Sequence, residues 1–450
     1  MDYATFIDRK SQLAGQFGFE PTFVHPMAYD FQSHLVEWAL RQGRAAIFAD
    51  CGLGKTLMQL VWSHNVVRHT AKPVLILSPL SVSLQTVDEG EKFGLPCARS
   101  IDGKIKSEIV TANYERIEHF DPNDFSGVVC DESSILKNFD GARKSAITDF
   151  MRKVKYRLLC TATAAPNDYI ELGTSSEALG YLGHMDMLGT FFKNDEDSLH
   201  PAFIGSKWRF KRHAERDFWR WICSWARACR KPSDIGFEDR DFILPKMIET
   251  EHVVRSSAPI GTLFPMKAVT LEEQRIERKS TVKDRCEKAA EFLQGDDYGV
   301  AWCQLNAEAD LLADIIPDAE QISGSDDDER KEELLEAFRK GQLRKLVTKP
   351  RIAAFGMNWQ HCNRMTYFPD HSFEQYYQAT RRLWRFGQKR EVRIYNIVSE
   401  SNADVSRNLR RKAIACERMF EDMVDQMNDA MSISRYRPHN SEMGVPAWLS

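Results

Sequence analysis

AAIFADCGLGKT, residues 45–56, sets an apolar run directly before a glycine-containing turn that closes on Lys-Thr. That order marks the junction of a buried strand and a helix, with a turn between them that can receive an anion. Gly52 and Gly54 let backbone N–H groups come close to phosphate oxygens, and Leu53 belongs to the same cradle. Lys55 is placed to neutralise β- and γ-phosphates, and Thr56 to set its hydroxyl on Mg2+. A glycine turn without a ligand is the competing reading, and the strand ahead with the helix behind weighs against it.

Outward from this junction the same alternation continues. Helical stretches separate VLILSP (74–79), GVVCDE (127–132) and RLLCTAT (157–163), and the pattern returns in YGVAWCQ (298–304), LRKLVTK (343–349), RMTYFPD (364–370) and VRIYNIV (392–398). Strands alternating with helices imply parallel sheets covered on both faces. Two separated blocks imply two such sheets, so an α/β chain with two lobes is expected. The division runs 1–28 as a lead-in, 29–170 as the first lobe, 171–280 as a Trp- and Arg-rich insertion with a connector, 281–400 as the second lobe, and 401–450 as a helical tail.

A chain of 450 residues has room for two or three compact units. Its net charge of -4 means that a nucleic-acid partner is gripped by local basic patches, not by an overall field. The 10 cysteines form no CxxC pair and no cluster at zinc spacing, which points to reduced thiols. Nowhere do about 18 apolar residues run together, and the N-terminus has an acid at position 2, so a cytoplasmic protein without a membrane contact is expected.

GVVCDESS (127–134) is an apolar strand ending in two carboxylates. At such a strand end Asp131 can hold Mg2+ and Glu132 can polarise the water that attacks a γ-phosphate. Alone, the pair reads as a solvated loop; beside a phosphate loop it reads as catalytic. YYQATRRLWRFGQKREVR (376–393) carries six Arg or Lys against the single acid Glu391. Gln378, Arg382 and Arg385 are spaced by four and three, so they share one helix face. Planar guanidinium groups there suit the spread charge of a phosphoryl transition state.

With these segments in hand the chain resembles superfamily 2 helicases, and QATRRLWRFGQ looks like motif VI of the Swi/Snf branch. Phe31-Gln32 is similar to the glutamine motif, LILSPLSVSLQT (75–86) to motif Ia, CTATAAPND (160–168) to motif III, VAWCQ (300–304) to motif IV, and TKPRIAAFGMNWQ (348–360) to motif V. ISGSDDDERKEELLEAFRKG (322–341) looks like the stretch between motifs IV and V. The compact form resembles helicases of bacteriophages. The resemblance implies two RecA-like lobes with ATP and Mg2+ in the cleft between them. It implies a catalytic set of Lys55, Asp131, Glu132, Arg382 and Arg385, with Thr56 and Asp131 on the metal. Nucleotide contacts fall to Phe31, Gln32, Gly52, Leu53, Gly54, Lys55, Thr56, Gly356, Asn358 and Gln378. Thr161, Ala162 and Thr163 link hydrolysis to the strand. Departures from the pattern are a phosphate loop one residue short, Ser134 where many relatives have His, and Arg381 directly before the first finger.

The function these motifs imply is a nucleic-acid-stimulated ATPase that translocates on DNA or unwinds it, duplex DNA being favoured and RNA left open. A phosphate-loop kinase or small-molecule ATPase leaves motifs V and VI unexplained, and a non-catalytic clamp leaves the intact Lys55, Asp131 and Glu132 unexplained. KWRFKRHAERDFWRWICSWARACRKP (207–232) mixes nine cations with Trp208, Trp219, Trp221 and Trp225. Aromatics among cations suit stacked bases. Yet Phe218, Trp221, Ile222 and Trp225 recur at helical spacing, which favours a packed face with arginines outside.

Overall fold

The computed structural model describes residues 17–137, 141–165, 168–194, 208–211, 214–254, 278–353, 358–400 and 403–435. Six strands open the chain: β1 (Arg44–Ala49), β2 (Val74–Ser78), β3 (Ala98–Arg99), β4 (Ile109–Asn113), β5 (Gly127–Asp131) and β6 (Tyr156–Cys160). A small antiparallel pair follows, β7 (Phe192–Asn194) with β8 (Trp208–Phe210), and then β9 (Ala226–Cys229). The first sheet runs β3-β4-β2-β5-β6-β1-β9 with every neighbouring pair parallel. Strands β2, β5 and β6 are buried along their whole length, as continuous apolar runs under helices on both faces require.

The second sheet is built from β10 (Met247–Val254), β11 (Gly299–Trp302), β12 (Ala319–Gln321), β13 (Lys345–Thr348), β14 (Arg364–Tyr367) and β15 (Val392–Ser399). Its order is β10-β15-β14-β11-β13-β12, again parallel throughout. The chain therefore has the two parallel sheets covered by helices that the alternation implies, arranged as the two RecA-like lobes that the resemblance implies.

All eight apolar runs quoted above are strands. The stretch between the two blocks contributes an edge strand to each sheet: β9 beside β1, and β10 beside β15. β10 alternates half-buried and exposed positions along most of MIETEHVV, as befits an edge strand with one wet face. In the helix Ala214–Trp225, Phe218, Trp219, Trp221, Ile222 and Trp225 are all buried while Arg216 and Arg220 are exposed. The aromatic face of the Trp/Arg stretch thus belongs to the first lobe's core.

The last helix, Ala403–Arg435, does not stay with the second lobe. Its Met419, Phe420, Met423 and Val424 enter the first lobe's core, and the Cys223 thiol meets the Met423 carbonyl at 3.9 Å. Among the described residues no helix is long and apolar enough to cross a membrane.

Candidate active site between the lobes

In a parallel sheet the carboxyl ends of the strands lie along one edge, where ligands bind. Here Ile47 of β1 pairs with Cys160 of β6, and Cys160 pairs with Asp131 of β5. The phosphate loop, the Thr161 turn and the two carboxylates consequently emerge side by side. Gly52 and Gly54 sit at φ +90 and +77, in the left-handed region that glycine reaches without strain. A Cβ on Gly54 would lie 2.3 Å from the Gln32 amide nitrogen, so the loop leaves no room for a side chain. The helix Lys55–Thr70 starts at once, with Thr56 half-buried in its first turn.

Gln32 is a strut for this loop. Its Nε2 donates to the Leu53 carbonyl at 2.8 Å, and its Oε1 accepts from the Tyr29 backbone at 3.0 Å. Phe31 is buried and packs edge-on against Phe242 at 5.1 Å, inside an aromatic cluster with Tyr29 and Phe386. Lys55 Nζ donates to the Ala49 and Asp50 carbonyls at 3.0 and 3.3 Å. Burial works against its charge, and Cys51, Glu132, Asp131 and Asp50 outweigh burial, so its pKa ends above the ordinary lysine value.

Asp131 accepts from Gln59 Nε2 at 2.7 Å, and Tyr114 donates to the Asp131 carbonyl at 2.5 Å. Burial, then repulsion by Glu132, raises the Asp131 carboxyl to about 6 against the pull of Lys55. Glu132 has φ +52, a left-handed conformation that costs a non-glycine residue about 1 kcal/mol or more and is typical of functional strand ends. Thr161 Oγ1 donates to Glu132 Oε2 at 3.4 Å and accepts from the Thr163 backbone at 3.1 Å. Thr161, Ala162 and Thr163 are all buried, so this turn packs beside Glu132 inside the first lobe.

The second lobe closes the site. Its helix Phe373–Leu383 and the turn after it bring Gln378, Arg382 and Arg385 against the phosphate loop. A Cβ on Gly52 would lie 2.7 Å from the Phe386 backbone nitrogen and 3.3 Å from Arg385 Cβ. Arg382 is 2% exposed and its Nη2 donates to Gln378 Oε1 at 3.1 Å, while the Cys51 thiol faces the same oxygen at 3.8 Å. Burial, with Arg385 adding repulsion, pushes Arg382 down to about 10, and burial lowers Arg385 as well. Gln378 Nε2 and Arg385 Nε have no hydrogen-bond partner among the described residues. Two crowded, buried guanidinium groups beside a glycine cradle, with Arg385 Nε unpaired, are a donor set that a triphosphate fits. Among the metal candidates, Thr56 opens the helix that follows β1 and Asp131 ends β5, with β6 between the two strands. Asn358 is half-buried with an unpartnered Oδ1, and Gly356 lies outside the described residues.

Three residues of the interface stand outside the sequence-derived set. Arg381 forms an ion pair with Asp50 of the phosphate loop, and the Tyr377 hydroxyl donates to the same carboxylate. The doubled arginine was the visible signal; its partner, 331 positions away, was not. Beside Glu132 a polar cleft of about 780 Å³ runs between the lobes, lined by Pro79, Asn113, Arg116, Ser134, Lys331 and Arg351 among others. Ion pairs cross it, Lys137 with Glu374 and, at 2.8 Å, Arg99 with Glu332.

No family model matches the chain. It is 23% identical over 447 residues to an uncharacterized ATP-dependent helicase, YqhH, of Bacillus subtilis, with 87% of this chain and 78% of that protein covered. Among solved structures, a Saccharomyces cerevisiae Dbp5 bound to Gle1 and IP6 superposes with a TM-score of 0.52 at 11% identity, over 85% of each chain. The SWI2/SNF2 ATPase core of Sulfolobus solfataricus in complex with dsDNA superposes with a TM-score of 0.42 at 18% identity, over 94% of this chain and 99% of that one.

Proposed function

We propose that this chain, a superfamily 2 helicase and ATP hydrolase, is a motor that couples ATP turnover between its lobes to movement along DNA, with duplex DNA as its preferred track. The observation that carries the reading is the composite pocket, in which Arg385 and Phe386 of one lobe lie against Gly52 of the other. Residues from two bodies that meet on one phosphate loop make lobe closure a condition of catalysis.

In this mechanism Gly52, Leu53, Gly54 and Lys55 cradle the phosphates, and Gln32 holds the loop in shape while Phe31 backs it from the core. Glu132 orients the attacking water and accepts its proton. Arg382 and Arg385 stabilise the charge that develops on the transferred phosphoryl group, and Gln378 and Asn358 contact the nucleotide, as is proposed for Gly356 too. Mg2+, held through Thr56 and Asp131, would supply further charge neutralisation on the phosphate oxygens. Thr161, with Ala162 and Thr163, passes the state of Glu132 toward the polar cleft. The cationic wall of that cleft, Arg116, Lys331 and Arg351, facing the carboxylates Glu115, Asp328 and Glu332, is the proposed seat of the nucleic-acid backbone. The Swi/Snf branch and a cytosolic location belong to the same proposal, as do lobes built on 29–170 and 281–400, with β9 added to the first and β10 to the second.

ATPase rates with duplex DNA, single-stranded DNA and RNA test it, together with triplex displacement against duplex unwinding. Stimulation by duplex with displacement and no strand separation is expected. Hydrolysis indifferent to every nucleic acid would remove the motor.

A further inference from the structure

Arg381 stands directly before Arg382, and the mechanism above does not use it. Neighbouring residues on a helix point about 100° apart, so the two guanidinium groups cannot face the same target. Arg381 goes to Asp50 instead, an ion pair between the second lobe's helix and the first lobe's phosphate loop. Tyr377, one turn earlier, donates its hydroxyl to the other oxygen of that carboxylate. The guanidinium lies 4.4 Å from the Trp384 ring centroid and 5.2 Å from that of Tyr377, and it donates to the Trp384 carbonyl at 3.4 Å. Asp50 is itself only 4% exposed and also accepts from the Cys51 backbone at 2.6 Å, so its carboxylate helps to shape the loop.

Without a partner, Asp50 is a buried anion inside a loop that receives a trianionic tail, and like charges in a site of low dielectric repel strongly. The compensating charge comes from the opposite lobe and is in place only while the lobes are together.

We propose that Arg381 is a positioning residue that neutralises the phosphate-loop carboxylate Asp50 across the lobe interface, so that triphosphate affinity is tied to lobe closure. The inference deepens the ATPase reading and rests on it. By linkage, nucleotide then favours the closed arrangement by the same factor by which closure favours nucleotide.

The full-length chain tests this through the Kd for a fluorescent ATP analogue, kcat and KM, and the distance between labels on the two lobes. Arg381→Gln raises Kd and KM about tenfold, with kcat falling less, because an uncompensated charge is left behind. Asp50→Asn in that background returns Kd to within a few-fold of the Asp50→Asn single variant, the coupling that a double-mutant cycle isolates. Nucleotide closes the lobes in the wild type and closes them less in Arg381→Gln at equal saturation. Should Arg381→Gln fail to fold, Arg381→Lys and Tyr377→Phe carry the same test, each with a Kd increase that Asp50→Asn relieves. Additive effects of the two substitutions, or a loss confined to kcat with Kd unchanged, overturn the proposal. A wild type that neither binds nor hydrolyses ATP overturns the ATPase reading itself, before any variant is compared.

Discussion

At the scale of single residues the site is a contest between burial and charge. Glu132 is held in a strained backbone conformation with Thr161 on its carboxylate, so Glu132→Gln keeps the shape and loses the base. Turnover is expected to fall by about 10² to 10⁴, the usual contribution of a positioned general base, while nucleotide affinity stays within a few-fold. Product release measured beside equilibrium binding checks this, and unchanged turnover would assign the base elsewhere. Asp131 supplies a pH dependence. Burial and Glu132 raise it to about 6, and only its ionised form holds a cation, so kcat/KM falls as pH drops through about 6. The sign follows from the direction of the shift: a carboxyl with a raised pKa is protonated earlier on acidification than an ordinary aspartate. A profile flat between pH 5 and 7 would contradict it. The positions of Asp131, Glu132 and the glycine loop were legible in the sequence, because each sits at the end of an apolar run. Asp50 with Arg381 was not, because each half of the pair is an ordinary charged residue until the fold brings them together.

Among the elements, the interior strands announced themselves and the edges did not. β2, β5 and β6 are continuous apolar runs, whereas β10 alternates and β9 follows a helix without a break. The helix Ala214–Trp225 shows what the Trp/Arg texture means: Trp225 is fully buried against Phe48 of β1, Tyr181 and Trp221. Trp225→Ala is expected to cost about 3–5 kcal/mol of stability through the cavity it leaves. Denaturant unfolding measures the loss, and a change under about 1 kcal/mol would place the side chain outside the core. Periodicity found this face but not its partner, since the C-terminal helix that covers it lies some 200 positions further on.

For the whole molecule, closure has two kinds of adhesive. Phe386 of the second lobe stacks on Phe242 at 4.6 Å, an apolar contact that salt does not screen. Arg99 with Glu332, mostly buried, and Arg339 with Asp88, more exposed and worth about 0.2–1 kcal/mol, are ion pairs weakened as the Debye length shrinks to about 3 Å at 1 M salt. Removing both pairs with Glu332→Gln and Asp88→Asn is therefore expected to widen the inter-lobe distance modestly at low salt and to weaken its dependence on salt, the more buried pairs Lys137–Glu374 and Arg381–Asp50 remaining. Small-angle scattering across a salt series reads this, and an unaltered salt response in the variant would exclude these pairs as the closing contacts.

The return of the last helix to the first lobe has a mechanical consequence. The chain leaves that lobe through the segment around Pro245 and Met247 and comes back to it beyond Ser399, so the second lobe is slung between two tethers. Tumbling on a single string is denied to it. What remains is a swing about the line joining the two attachment points, and a stroke so guided traces the same arc on every cycle.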